Sequence, residues 1–154
     1  MEEHDQGFIR KVLKVAQKAR EHGNHPFWAL LVGPENQILL EAENTVITSK
    51  DITGHAETNL IRLASQTYSP EYLENCTVYA STEPCPMCAG AIFWSNVRRV
   101  VYGLSAKSLY SMVGNEAIIS LTCREVFERG QWEVTVVGPL LETEAQQVHE
   151  GFWH

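Results

Sequence analysis

Helix-like and strand-like segments alternate along the chain, and this alternation constrains the fold more than any other feature. The helical patterns are residues 6–22, His55–Gln66, Pro86–Trp94, Glu116–Arg129 and Glu142–Glu150. The strand-like runs are Phe27–Val32, Gln37–Ala42, Thr77–Ala80, Arg99–Tyr102 and Trp132–Val137. Alternation requires right-handed crossovers and helices that cover a sheet, while the first two runs form an antiparallel hairpin. We therefore predict a three-layer α/β/α fold with a mixed five-stranded sheet.

The composition is typical of a soluble globular protein and limits its partners. The 154 residues, 44% hydrophobic and 20% charged, fit a single domain over residues 1–154. The 12 basic and 19 acidic side chains give a net charge of −7, which argues against nucleic acid or an anionic membrane as a partner. No apolar run approaches the roughly 18–20 residues of a membrane span, and the acidic start Met1–Asp5 is unlike a signal peptide. We expect a cytoplasmic protein.

Three residues of the kind that bind transition metals indicate a metal centre: His55, Cys85 and Cys88. Pro86 favours the first position of a helix, which puts Cys85 at the helix start and lets both thiols point the same way. A helix N-terminus also favours the thiolates that a metal needs. Two thiolates, one imidazole and a water molecule are the ligands of a catalytic Zn²⁺. We therefore predict zinc as the cofactor.

Other uses of these residues have less support. A redox Cys-x-x-Cys needs no upstream His-x-Glu, and a structural zinc site needs a fourth protein ligand, which no second Cys-x-x-Cys or His-x₃-His supplies nearby. Cys76 and Cys123 fall in strand-like and helix-like runs and are expected to be small buried hydrophobic residues. Glu57 would be favoured at a helix N-terminus by the helix dipole alone. Its pairing with the downstream cysteines indicates a catalytic role instead.

The triplet His55–Glu57 (His-Ala-Glu) together with Pro84–Cys88 (Pro-Cys-Pro-Met-Cys) resembles the signature of the zinc nucleoside and nucleobase deaminases. The chain is identified as a member of the cytidine deaminase superfamily, and Thr82–Trp94 is most similar to bacterial guanine deaminases. The resemblance extends over residues 24–154. It implies hydrolysis of guanine to xanthine and ammonia. Glu57 would take a proton from the water that zinc activates, pass it to a ring nitrogen and later protonate the leaving amine.

The resemblance also implies a set of base-binding residues. Asn44 would hold the base, the Ala56 backbone would contact it and Phe27 would stack on it; Trp94, at the end of the similar segment, belongs to the same set. Glu116, 28 residues after the second motif cysteine, matches a second carboxylate that could bind the N–H face of guanine or share proton transfer. Two structural alternatives stay open. Asn44 could be a turn residue after a strand, and Glu116 a solvated glutamate favoured by a helix start.

The aromatic tail Gly151–His154 is unlike ordinary termini, which are polar and mobile. In the guanine deaminases that the chain resembles, the C-terminal segment exchanges between subunits and caps the partner's site. The resemblance therefore implies a homodimer in which residues 142–154 are swapped and Phe152 or Trp153 forms a lid. Docking of the tail on its own subunit is the alternative that the sequence leaves open.

Trp28 departs from the pattern of the similar enzymes, in which a small residue, often glycine, follows Pro26-Phe27. Its indole could line and narrow the base-binding pocket, or it could pack in the core. A narrowed pocket would favour a one-ring base, such as isocytosine, cytosine or the triazine ammeline, over guanine.

Three further functions are compatible with parts of the pattern. A tRNA adenosine deaminase shares both motifs but needs a basic surface for phosphates, and the net charge is −7. A deaminase of free cytidine needs room for ribose, for which the lid and the second carboxylate that the resemblance implies would leave little space. A non-enzymatic zinc module needs a fourth protein ligand. A free nucleobase is therefore the expected small-molecule partner.

Overall fold

The centre of the computed structural model is a five-stranded sheet with the strand order β2-β1-β3-β4-β5; the structure describes residues 2–114 and 118–153. The strands are β1 (Trp28–Val32), β2 (Ile38–Glu43), β3 (Thr77–Thr82), β4 (Arg99–Leu104) and β5 (Thr135–Val137). The helices are α1 (Glu2–Glu21), α2 (Val46–Ser49), α3 (Ala56–Thr67), α4 (Pro70–Leu73), α5 (Pro86–Ser95), α6 (Ala106–Val113), α7 (Cys123–Glu128) and α8 (Glu142–Gln147). β1 pairs antiparallel with β2 and β3, whereas β3, β4 and β5 run parallel. The predicted α/β class with a mixed five-stranded sheet is confirmed.

Helices cover both faces of this sheet, which gives the three predicted layers. α1 packs on β1, β3 and β4, and α3 packs on β1, β2 and α5. Successive side chains of a strand point to opposite faces: Trp28 and Leu30 join the core beneath α1, whereas Ala29 and Leu31 join the core beneath α3 and α5. None of the helices in the described ranges combines the length and apolar composition needed to cross a bilayer.

The predicted helix over Glu116–Arg129 begins too early. Residues 118–122 are not helical, and α7 begins at Cys123. Thr122 determines this start, because its hydroxyl accepts a hydrogen bond from the Glu125 backbone while the Glu125 carboxylate accepts one from the Thr122 backbone. This reciprocal capping box stops the helix from extending backwards.

Helix α6 and strand β5 also differ from the prediction, and the short helices α2 and α4 were not predicted. Helix α6 was not expected, although Ser105 carries the signal of a helix start: its hydroxyl accepts a hydrogen bond from the Ser108 backbone. The predicted strand Trp132–Val137 is shorter, since only its last three residues pair with β4. The Trp132 ring instead stacks on Phe93 at a centroid distance of 4.2 Å.

The close packing around Phe93 predicts opposite effects for two glycine substitutions. A Cβ at Gly130 would lie 2.1 Å from Phe93 Cε1, and the stacked Trp132 prevents that ring from moving away. Gly130→Ala should therefore lower the free energy of unfolding by about 1–3 kcal/mol. Gly7→Ala, at an exposed position of α1 where a Cβ meets nothing within 4 Å, should raise it by about 0.5–1 kcal/mol. Urea unfolding measures both, and effects of the same sign would contradict this packing.

α1 is attached to the sheet by an ion pair whose carboxylate, that of Asp5, is buried. Arg99 on β4 donates hydrogen bonds of 2.9 and 2.6 Å to the Asp5 carboxylate, and the Tyr79 hydroxyl donates a third of 2.6 Å. Burial by itself raises the pKa of Asp5, but these hydrogen bonds outweigh burial and leave the pKa below its ordinary value of 3.8. The ionised carboxylate therefore stabilises the folded state.

The stability of the protein should depend on pH through Asp5. Because its pKa is lower in the folded than in the unfolded chain, its contribution is present above pH 3.8 and is lost as the pH falls further. We expect Asp5→Asn to cost about 1.5–3 kcal/mol of unfolding free energy at pH 7, with a smaller loss at acid pH. Urea unfolding across this pH range measures the difference. Glu144→Gln, in an exposed ion pair with Arg10, should behave as wild type; a constant cost of Asp5→Asn at every pH would contradict the assignment.

Candidate active site

The three predicted metal ligands meet at the starts of two neighbouring helices. His55 is the cap residue of α3, Cys85 is the cap residue of α5, and Cys88 lies in the first turn of α5. The sulfur atoms of Cys85 and Cys88 lie 3.6 and 3.5 Å from His55 Nδ1. All three ligand atoms lie within 4.8 Å of one another. Packing of α3 on α5 thus brings together residues that are far apart in sequence.

The spacing of these atoms fits zinc. With Zn–S bonds of about 2.3 Å and Zn–N bonds of about 2.0–2.1 Å, a tetrahedral site has a sulfur–nitrogen edge of about 3.6 Å. The two observed sulfur–nitrogen distances agree with this edge. Within residues 2–114 and 118–153, no other group of three His, Cys, Asp or Glu side chains has the spacing of a metal site.

The two thiols of the group differ in their protonation. A hydrogen bond from Cys88 lowers the pKa of Cys85 to about 4, against the effect of burial. The pKa of Cys88 is raised well above 9.0 by its hydrogen bond to Cys85 and by burial, and the hydrogen bond with Cys85 also raises the pKa of His55. The sulfur pair therefore shares a proton that a divalent cation can replace, since the thiolate is the metal-binding form.

Glu57 lies beside this group, in the first turn of α3, and its side chain is buried. On a regular helix, residues two positions apart point to different sides. His55, however, is the cap residue and has an extended backbone (φ −72°, ψ 156°), so both side chains border the same cavity. Burial, with the negative charge of Cys85, raises the pKa of Glu57 to about 7. A carboxyl group with such a pKa can both accept and return a proton.

A cavity of about 420 Å³ opens next to Glu57 and the three ligands. Its volume falls in the range of small-molecule sites, roughly 300–1,000 Å³. Most of its lining is apolar, with Leu109 and Val113 from α6 and Ala56 from α3, and Asn44 is among the polar side chains. The cavity can therefore hold a small flat molecule and direct it with a few polar groups.

Asn44 is both a turn residue and a candidate ligand-binding residue. It is 2% exposed, and its Oδ1 accepts a hydrogen bond of 3.0 Å from the Val46 backbone at the start of α2. Its side-chain nitrogen has no hydrogen-bond partner among the residues that the structure describes, and the side chain lines the cavity. The two interpretations are therefore compatible, because the turn engages the oxygen and leaves the N–H groups for a ligand acceptor.

One wall of the cavity is aromatic and combines the chain between α1 and β1 with the C-terminal segment. His25, Phe27 and Trp153 line the cavity. The centroid of the Trp153 ring lies 5.4 Å from that of His25 and 6.3 Å from that of Phe27. The Phe27 ring also contacts His149, at 5.4 Å. Flat rings of this kind suit a heteroaromatic ligand.

Comparison with known proteins assigns this arrangement to a family. A family model for the cytidine and deoxycytidylate deaminase zinc-binding region matches residues 2–104. The chain belongs to this deaminase family. The predicted superfamily is thereby confirmed, as is zinc as the cofactor, which His55, Cys85 and Cys88 would hold.

Relatives of this deaminase carry different substrate names. It is 39% identical to the probable cytosine deaminase of Schizosaccharomyces pombe over 99% of this chain and 94% of the relative. It is 38% identical to the guanine deaminase of Bacillus subtilis over 62% of this chain and 61% of that protein. Its fold matches the structure of a guanine deaminase from Nitrosomonas europaea with a TM-score of 0.76 at 23% identity, covering 91% of this chain and 79% of the other. These comparisons establish the family to which the chain belongs, and its members differ in the base on which they act.

Two predicted base-binding residues of the deaminase lie away from its cavity. Trp28 is buried on the other face of the sheet, with Ile9 and Leu30. The prediction that it lines the pocket is wrong, because the alternation of a strand turns residue 28 away when Phe27 faces the cavity. Trp94, at the far end of α5, is 80% exposed and does not border the cavity of its own chain. The base-binding role expected for Trp94 is therefore not supported.

The structure distinguishes between the two lid candidates of the C-terminal segment. Trp153 lines the cavity, whereas Phe152 does not. The Phe152 ring instead faces the guanidinium group of Arg20, whose Cζ atom lies 5.6 Å from the centroid of that ring. In the chain described here the segment covers its own cavity. Exchange of residues 142–154 between subunits stays a prediction. Glu116, the expected second carboxylate, lies outside the described residues.

Glu83 is a cavity residue that the sequence patterns did not single out. Its carboxylate accepts a 3.0 Å hydrogen bond from the Ala106 backbone at the start of α6, and the Cys123 thiol donates to its other oxygen at 3.8 Å. It thereby connects the metal-binding loop to α6 and α7. The sequence feature that could have identified Glu83 as a site residue is its position directly before Pro84 in the cysteine motif.

Proposed function

We propose that the protein is a hydrolytic deaminase of a free nucleobase, with guanine as its substrate. The observation that carries the proposal is the buried carboxyl group of Glu57 beside His55, Cys85 and Cys88, inside a cavity with an aromatic wall. This combination provides a metal site, a group that transfers protons and a flat binding surface. The names of the guanine deaminase relatives support the choice of base.

The proposed reaction adds water to the ring carbon that carries the amino group and expels ammonia. Zinc, when bound, supplies Lewis-acid activation of water at neutral pH. Glu57 accepts one proton from the water and delivers it to the adjacent ring nitrogen. It then transfers the second proton to the amino group, so that the carbon–nitrogen bond breaks and a keto group remains. The position of Glu57 at the ligand cluster suits both transfers.

Binding of the base would use the groups that surround the cavity. Phe27 offers a ring for stacking, which is worth about 1–3 kcal/mol per base in nucleic-acid complexes. The side-chain nitrogen of Asn44 would donate to a ring acceptor, and the Ala56 backbone would contact the base. Trp153 would cover the open side. Whether Glu116 contacts the base stays a prediction.

Cytosine is a second candidate substrate, and one comparison favours it. The S. pombe relative named a probable cytosine deaminase is similar over 99% of this chain, which includes the C-terminal segment. Against this, the burial of Trp28 in the opposite core removes the narrowing that would have favoured a one-ring base. Guanine therefore stays the first proposal.

The test is ammonia release from the zinc-loaded protein, with Glu57→Ala as the inactive control. Guanine, cytosine, isocytosine, ammeline, adenosine and a tRNA are tested in parallel. We expect guanine to be the best substrate, and preferential turnover of a one-ring base would overturn the choice of base while leaving the reaction intact. Turnover of tRNA alone would overturn the proposal of a free base; the net charge of −7 argues against it. If none of these compounds releases ammonia, the proposed function is overturned.

The proposed enzyme is also a homodimer, and α5 offers a face for it. Trp94 is 80% exposed and Met87 38% exposed, and their spacing of seven residues places them on one side of the helix. We expect Trp94→Glu to shift the protein from dimer to monomer in light scattering after gel filtration. Ile52→Glu, at a residue that is 82% exposed in a loop, should leave the dimer intact; equal effects of the two changes would contradict a role for α5. A cytoplasmic location stays a prediction.

A further inference from the structure

Two rings of the C-terminal segment are joined by a hydrogen bond next to the cavity. Trp153 Nε1 donates to His149 Nδ1 at 3.0 Å, and the two rings are nearly parallel, with an interplanar angle of 14°. Trp153 lines the cavity, whereas His149 is 2% exposed and does not line it. His149 is thus placed to act on a ligand through Trp153 rather than directly.

The surroundings of His149 hold it in place. Its ring lies 5.4 Å from the Phe27 ring. Arg20 donates hydrogen bonds of 3.1 and 2.5 Å to the carbonyl oxygens of Val148 and Glu150, on either side of His149. The backbone is thus tied to α1 at both residues that neighbour His149, and this attachment fixes the point from which the imidazole projects.

The hydrogen bond determines the state of the imidazole. A protonated imidazole has no acceptor, so His149 must be neutral with its proton on Nε2. Burial, aided by the charge of Arg20, lowers the pKa of His149 to about 4, and the acceptor at Nδ1 therefore persists at neutral pH.

The other neighbours of Trp153 do not orient it in this way. Its contacts with His25, at 5.4 Å, and with Phe152, at 4.9 Å, are ring contacts. Ring contacts tolerate several orientations, whereas a hydrogen bond at Nε1 selects one. Among the described residues, His149 supplies the directional contact of the indole.

We propose that His149 is a positioning residue, which holds the Trp153 indole in the orientation that covers the bound base and thereby sets the affinity for the base. This inference rests on the proposed function. His149 and Trp153 lie four residues apart in one segment, so the pair persists whether the segment covers its own cavity or a partner's.

The experiment compares two replacements of nearly equal size. His149→Asn keeps an acceptor oxygen near the position of Nδ1, whereas His149→Leu removes it. We expect His149→Leu to raise KM for the base by about tenfold, which corresponds to one lost hydrogen bond, and to change kcat by less than about threefold. His149→Asn should restore KM to within about threefold of wild type. Equal KM values for the Leu and Asn variants would overturn the proposal and indicate packing alone.

A double-mutant cycle tests the route through Trp153. In a Trp153→Phe background the indole donor is absent, so His149→Leu should raise KM no further than Trp153→Phe alone. Additive effects of the two changes on KM would show that His149 acts by another route and would overturn the proposal.

A readout without turnover separates this inference from the proposed function. Acrylamide quenching of the Trp153 fluorescence is obtained as the difference between each variant and the same variant with Trp153→Phe. We expect increased quenching in His149→Leu and near wild-type quenching in His149→Asn, even if no base is a substrate. Unchanged quenching in His149→Leu would overturn the positioning role, whereas failure of every base in the ammonia assay would overturn only the proposed function.

Discussion

Glu57→Gln is expected to lower the turnover of the preferred base by at least roughly 10²–10⁴-fold, the usual contribution of general acid–base catalysis. Glutamine keeps the size and the hydrogen-bonding capacity of the side chain but cannot accept and return a proton at neutral pH. Glu57 lies in the first turn of α3, next to the ligand cluster, and is shielded from solvent. The loss should therefore appear in kcat, because the proton transfers take place after the base has bound.

The measurement combines single-turnover ammonia release with zinc analysis of the same samples. Zinc content should stay at the wild-type level, because Glu57 is not one of the three ligands. Glu71→Gln, which makes the same chemical change in the exposed first turn of α4, should have wild-type kinetics. A Glu57→Gln enzyme that retains wild-type turnover with full zinc would remove Glu57 from the proton-transfer role.

Cys88→Ser is expected to remove most of the bound zinc and nearly all activity. A serine hydroxyl does not ionise at neutral pH, so the site loses one of its two thiolates. Loss of a metal that is present at a thousandfold excess over its dissociation constant costs about 4 kcal/mol of stability. For a domain of this size the cost corresponds to a fall in melting temperature of roughly 8–16 °C.

Cys76→Ser is the matched control for Cys88→Ser. Both thiols are buried, with exposures of 2% for Cys76 and 0% for Cys88, so both replacements put a hydroxyl in place of a buried sulfur. Cys76 donates to the Tyr72 carbonyl and lies outside the ligand cluster, and Cys76→Ser should keep its zinc and its turnover. Elemental analysis and thermal unfolding with and without added zinc distinguish the two variants. Equal zinc contents would show that Cys88 is not a ligand.

The ligands and the central elements could be predicted from sequence because their signals are local. Pro86 at the start of α5 and the three-residue spacing of the cysteines depend only on helix geometry, and both are present in the structure. The start of α7 could not be located from hydrophobic periodicity, because the capping box of Thr122 and Glu125 overrides it. The unpredicted α6 carries the same kind of signal at Ser105, which periodicity alone does not register.

The sequence by itself predicted the chemistry of the site: a metal group of His55, Cys85 and Cys88, with Glu57 beside it, on a mixed α/β sheet. The structure brings these four residues together. Motif spacing suffices here because each ligand lies at a helix start, where local backbone geometry directs the side chain. Only the tertiary structure decided which aromatic residues border the cavity. Trp28 and Trp153 are both tryptophans in plausible positions, but strand alternation directs the first into the opposite core. Trp153 instead reaches the cavity through the docking of the C-terminal segment on α1, where Arg20 donates hydrogen bonds to the carbonyl oxygens of Val148 and Glu150. Such contacts between residues more than a hundred positions apart leave no periodic signal.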